Sequence, residues 1–151
     1  MKLEDEIKQE KFKNEFLKAR VNILYTANWL SNHYERDCRK HGITPEQFNI
    51  LRILRGQKAK PITINLLIER MLNKTSNVSR LVEKLRKKSL VERSINEADR
   101  RACDVLITQK GLDLLVELDK AEIEWDQLIA HMPESEVKMI SELLDKLRKK
   151  R

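Results

Sequence analysis

The chain has only three glycines and three prolines in 151 residues, so sharp turns must be few and long helices are possible. It has two cysteines, Cys38 and Cys103, too few for the disulfide framework of a small secreted domain. No run of about 18 apolar residues occurs, which argues against a membrane span. The opening MKLEDEIKQEKF is charged and lacks the apolar centre of a signal peptide, so a cytoplasmic location is expected. There is no glycine-rich phosphate loop and no His-Glu zinc motif, and the three histidines are scattered. The chain is therefore expected not to be an enzyme, to need no cofactor and to hold no metal.

Positive charge is plentiful and unevenly placed. The net charge is +7, yet Lys74 to Arg101 holds nine Lys and Arg against four Asp and Glu, and Lys146 to Arg151 holds five Lys and Arg and no acid. The remainder is net negative. Scattered charge would serve solubility, whereas clustered charge points to a polyanion.

The length fits one domain, or one domain with appended helices. A first helix is expected from about Asp5 to Lys40, with Phe16, Ile23, Ala27, Leu30 and Tyr34 on one face and Gly42 ending it. In TPEQ, Thr44 caps a second helix, Pro45 takes its first position and Gln47 completes a capping box. Thr63 caps a short third helix, INLLIERM, and a fourth runs from Thr75 to Lys88 over the apolar stripe Val78, Leu81, Val82 and Leu85. LVERSI and ACDVLI read as two strands around a polar turn. Thr108 caps a long helix to about His131, Pro133 breaks it, and a last helix starts near Glu134. The expected class is mainly α with a small two-stranded β-wing. An N-terminal dimerisation helix spans 1–40, a winged helix-turn-helix lobe 44–108 and C-terminal dimerisation helices 109–151. The apolar seams of the terminal helices, such as Val137, Ile140, Leu144 and Leu147, are narrow and suit a partner helix, which implies a homodimer.

On the fourth helix, the side away from the stripe carries Ser76, Arg80, Glu83 and Lys87, flanked by Asn77, Ser79 and Lys84. Small polar residues with one arginine at the leading end suit entry into a major groove; the plainer reading is a solvated face. In NEADRRACDVL a turn needs Asn96 and Asp99 but not two arginines. A wing over a minor groove gives those arginines a target. Asp99 would brace the Arg101 guanidinium, Arg101 would enter the groove and Arg100 would meet phosphate. The expected DNA contacts are Thr63, Thr75, Ser76, Asn77, Ser79, Arg80 and Lys84, together with Arg93, Asp99, Arg100 and Arg101 of the wing.

The stretch SNVSRLVEKLRKKSLVERSINEADRRACDVLITQKGLDLL, and within it DRRACDVLITQKG, resembles the MarR family of winged helix-turn-helix regulators. The resemblance implies a homodimer held by its terminal helices on a pseudo-palindromic operator. It places the family's wing arginine at Arg101 and its polar recognition positions at Ser76, Asn77, Ser79 and Arg80. Two places depart from the family pattern. Ser89 stands where glycine is usual, and Leu66-Leu67-Ile68 where Glu-Leu-Ala is usual.

Other signals carry less. His33, Asp37 and His41 share a helical face at metal-ligand spacing, but His41 adjoins the terminating Gly42, where a cation would simply complement the helix dipole. Cys38 has basic neighbours, yet oxidant-sensing members of the family resemble one another in placing that cysteine near the start of the first helix. Tyr25, Trp29 and Phe48 could line a pocket for a small aromatic or apolar effector, a location that the resemblance implies; the plainer reading is core. The sequence thus reads as a repressor binding double-stranded DNA as a homodimer, released by a small-molecule effector, with no membrane partner. The alternatives are a protein-interaction winged-helix module without DNA readout, or a membrane-surface protein using KLRKKR, which lacks an aromatic apolar face.

Overall fold

Residues 2–149 are described by a computed structural model, so Lys150 and Arg151 of the basic tail lie outside the described residues. The chain divides into two compact units, one ending at Pro45 and one beginning at Glu46.

In the first unit the expected single helix is two: α1, Leu3–Ile7, and α2, Glu15–Lys40. Lys8 is left-handed at φ 54°, and Asn14 starts α2 afresh by accepting the Leu17 amide at 2.9 Å. An asparagine side chain at that position satisfies an amide that a continuous helix would have bonded itself. Two contacts clasp α1 to α2, a Lys18–Glu4 ion pair at 2.6 Å and a hydrogen bond from the Tyr25 hydroxyl to Glu6 Oε2 at 2.7 Å. The latter holds the Tyr25 hydroxyl above its ordinary pKa, because the carboxylate beside it favours the protonated phenol. At the other end, Gly42 is left-handed at φ 70° and the Ile43 amide bonds back to the Cys38 carbonyl, closing α2 as its sequence predicts.

The second unit carries α3 (Pro45–Arg55) from its second residue onward, then β1 (Ile62–Thr63), α4 (Ile64–Arg70), α5 (Val78–Lys87), β2 (Val91–Ile95), β3 (Cys103–Ile107), α6 (Gln109–Gln127) and α7 (Glu134–Arg148). Its core is made of Ile50, Leu51 and Leu54 of α3, Leu67 of α4, Val82 and Leu85 of α5, Val91 and Val105 of the sheet, and Leu115 and Leu118 of α6, all almost fully buried. Each such side chain contributes about 1.5–3 kcal/mol by leaving water. Polar ties join α3 to α6 as well: Arg55 donates to both oxygens of Asp119, Arg52 pairs with Glu122 at 2.6 Å, and Phe48 meets Trp125 edge-on at 5.6 Å.

The sheet has three strands, not two, in the order β1-β3-β2 and antiparallel throughout. Ile62 and Val91 sit opposite Val105 and Ile107, so β3 is the central strand. Thr63 is at once a strand residue and the cap of α4, its hydroxyl accepting the Leu66 amide at 3.3 Å. α6 ends at Gln127, four residues short of the expected stop, in turns that lead to Pro133.

The turn from α5 into β2 is a Schellman closure: the Leu90 amide bonds to the Leu85 carbonyl and the Ser89 amide to that of Arg86. This puts Ser89 at φ 60°, the conformation that glycine adopts without strain. Beside it, Gly111 of α6 lies so close that an added Cβ would sit 2.4 Å from the Leu90 carbonyl oxygen. The Thr108 hydroxyl donates to the Ser89 carbonyl at 2.8 Å and accepts the Gly111 amide at 3.1 Å, fixing α6 to the same turn.

Candidate nucleic-acid interface

The approach to α5 is organised by asparagines. Asn49 of α3 accepts the Leu72 amide at 3.0 Å, and Asn73 accepts both the amide and the hydroxyl of Thr75. Asn77 caps α5 by accepting the Arg80 amide at 3.1 Å. The helix therefore begins at Val78 rather than Thr75, and Ser76 and Asn77 precede it in the turn. Val78, Val82 and Leu85 are buried, while Ser79, Arg80 and Lys84 are exposed. Among the described residues, the Arg80 and Lys84 side chains have no hydrogen-bond or ion-pair partner.

The flank of α5 nearer the sheet is different. Glu83 accepts two hydrogen bonds from Arg86 and lies 3.7 Å from Arg93 of β2. Those partners hold the Glu83 carboxyl below its ordinary pKa, the Arg86 hydrogen bonds first. Arg93 also donates to the Cys103 sulfur at 3.0 Å. Arg93 thus ties the wing to the helix, a role its position in the sequence did not reveal. Glu83 was visible only as part of a solvated face.

The wing tip is built by side chains bonding to backbone. Asn96 donates to both Asp104 oxygens at 3.0 Å and accepts the amides of Ala98 and Asp99. Asp99 accepts the Arg101 backbone amide at 3.0 Å. It braces the turn and not the guanidinium, correcting the expected pairing; an aspartate bonding to an amide two residues on is the commoner geometry. Arg100 and Arg101 are exposed at the tip.

The three candidate effector residues fall in both units. Tyr25 is engaged with Glu6, and Trp29 is 38 % exposed with its ring edge-on to His33 at 5.0 Å. Phe48 is buried in the second unit, with the Arg52 guanidinium 5.6 Å from its ring centre. Cys38 is fully buried. Among the described residues, no three His, Cys, Asp or Glu side chains are placed to hold a metal ion, and no helix is long and apolar enough to cross a membrane.

Two short helices joined by a turn, the second exposing a polar, basic face beside a strand pair with an arginine tip, make this a winged helix-turn-helix. The MarR family model matches residues 41–102. The HTH-type transcriptional regulator MhqR of Bacillus subtilis is 30% identical over 133 residues, covering 87% of this chain and 90% of that protein. The chain belongs to the MarR family of transcriptional regulators. Solved structures share its fold. A cysteine-to-serine mutant of MarR from E. coli, crystallised with operator DNA, aligns with a TM-score of 0.80 at 22% identity, over 93% of this chain and 100% of that one. Bordetella bronchiseptica BpsR, solved in a study of regulation of its DNA binding by 6-hydroxynicotinic acid, gives 0.76 at 20% identity, over 87% and 99%.

Proposed function

We propose that the chain is a homodimeric repressor that binds a pseudo-palindromic operator in double-stranded DNA. It acts in the cytoplasm and by binding, not catalysis. The observation that carries the reading is the pair of exposed, unpartnered cations Arg80 and Lys84 on α5, beside a bonded wing tip that presents Arg100 and Arg101. Leaving cations unpaired on an ordered face makes sense where a polyanion supplies the counter-charge. In this arrangement α5 enters the major groove, with Ser76 and Ser79 near the bases and Asn77 capping the helix that carries them, and Arg101 reaches the adjacent minor groove. Thr63, Thr75, Arg93 and Asp99 shape the surface, since their side chains are held by the protein itself.

The dimer reading is supported by α7, which has no buried residue and exposes Met139, Ile140, Leu143 and Leu147 along one side. Release by a small aromatic or apolar effector is supported by analogy with BpsR. On α2, Tyr25 and Trp29 stand four residues apart and offer aromatic surface on one face.

Selection of genomic DNA fragments by the purified protein tests the core of the proposal, with enrichment of a two-fold symmetric sequence expected. Arg80→Ala should then cost about 1–3 kcal/mol per half-site and relax the base preference there. Arg101→Ala should weaken binding most where the flanks are A·T-rich. If wild type enriches no sequence, the winged helix is an interaction module and not a DNA reader.

A further inference from the structure

Two carboxylates lie beside the exposed face of α5, and the fold treats them oppositely. Glu83 is neutralised by Arg86 and Arg93. Glu46, in the first turn of α3, has no ion-pair or hydrogen-bond partner among the described residues. It shares a concavity of about 300 Å³ with Ser76, Asn77, Arg80, Leu81 and Lys84. Residues 77, 80, 81 and 84 form one flank of α5 at helical spacing, so Glu46 faces the flank that carries both unpartnered cations. Nothing in the sequence hints at this, because Glu46 is separated from Arg80 by two intervening elements and looks like an ordinary helix-start acid.

An unpaired carboxylate on a surface meant for DNA repels phosphate. Its presence there needs a compensating contact. As an acid in the first turn of α3 it favours the helix dipole by about 0.3–1 kcal/mol, but a site on any other helix start would do that without opposing DNA. In the major groove the hydrogen-bond donors are exocyclic amines, and cytosine N4 is the one a carboxylate reads best. We propose that Glu46 is a specificity-determining residue that accepts a hydrogen bond from a cytosine N4 amine, next to the guanine that Arg80 takes. It also penalises DNA lacking that donor, where its charge meets only acceptors and phosphate. The assignment rests on the DNA-binding reading above.

The test is selection from a randomised half-site by the full-length wild type, Glu46→Gln, Glu46→Ala and Arg80→Ala proteins at one salt concentration. Affinity for random-sequence DNA and thermal stability are measured alongside. Wild type should enrich cytosine at one position in each half-site. Glu46→Ala should lose about fivefold or more of that preference while binding random DNA about threefold more tightly. Glu46→Gln, nearly isosteric, should shift the preference toward adenine, whose N6 and N7 suit an amide. Arg80→Ala should relax the neighbouring position and leave the cytosine. A role confined to the α3 dipole would change stability and leave every base frequency as in wild type; that result overturns the proposal while the DNA-binding reading stands. A wild type that enriches no sequence overturns both.

Discussion

Asn96 and Asp104 face each other across the base of the wing tip, the Asn96 carboxamide donating to both Asp104 oxygens at 3.0 Å. The other end of the same carboxamide accepts the Ala98 and Asp99 amides, so one side chain shapes both sides of the turn. Asn96→Ala removes all four bonds. Since they are partly solvated, the cost in stability should be about 1 kcal/mol. The Ala98 and Asp99 amides should exchange with solvent much faster, and binding of the selected DNA should fall although both arginines remain. Unchanged exchange would show that the tip is held by other means.

Ser89→Gly should stabilise the protein. A side chain at left-handed φ costs about 1–2 kcal/mol, and the added freedom of glycine in the unfolded chain returns about 0.4–1 kcal/mol of that. The net gain should be about 0.5–1 kcal/mol, read as a higher midpoint in urea with an unchanged slope. A lower midpoint would mean that the serine makes a contact worth more than its strain.

Gly111→Ala should do the reverse. Its methyl would lie 2.4 Å from the Leu90 carbonyl oxygen and 2.7 Å from Ile107 Cγ1. Backbone cannot step aside as a side-chain end can, so α6 must shift away from the turn at a cost of about 1–3 kcal/mol. Denaturant unfolding of the variant measures it.

The bridge between the wing and α5 should be acid-sensitive. The Glu83 carboxyl is held below its ordinary value near 4.5. Its contribution is complete above that value and is lost as pH falls through the lowered one. Carbon-13 chemical shifts of Glu83 should titrate below the usual carboxylate range, and those of Arg93 should follow. Glu83→Gln should abolish the Arg93 response at every pH.

Leu143 and Leu147, one helical turn apart on α7, are 57 % and 65 % exposed in the single chain. Replacing both with aspartate should therefore leave the helix and the winged lobe folded. If the apolar side of α7 is a dimer seam, sedimentation will show the double variant as a monomer at concentrations where wild type is a dimer. A dimer of unchanged affinity would place the seam elsewhere.

Much of this architecture can be read from punctuation residues. Gly42, Thr108 and Pro133 mark real helix boundaries because each acts through its own backbone or its nearest neighbours. The break before α2 is not legible in the sequence, because Asn14 sits among charged helix formers and only its bond to Leu17 distinguishes it. β1 is two residues long, too short for any periodicity, and exists through its pairing with β3. At the candidate interface, the polar composition of α5 was visible but its start was not. Asn77 is equally at home facing a base or capping a helix, and sequence cannot weigh the two. Asp99 presents the same ambiguity, since a spacing of two serves an amide or a guanidinium alike. Glu46 belongs to a third kind, a residue made relevant only by the packing of α3 near the start of α5.

The central position of β3 limits how such a wing can be remodelled. One side is paired along its whole length with β2, the strand that leaves α5, and the other is paired at Asp104 and Val105 with β1, the strand that leads into α4. A single residue inserted within a strand inverts one part of it against the other; at the start of β3 that would turn the buried Val105 outward and Asp104 inward. Lengthening the wing without that inversion requires residues added in pairs on both strands, or additions confined to the turn between Asn96 and Ala102. Variation in the reach of the arginines is thus channelled into the seven residues from Asn96 to Ala102, while the frame that carries them tolerates change only in steps of two.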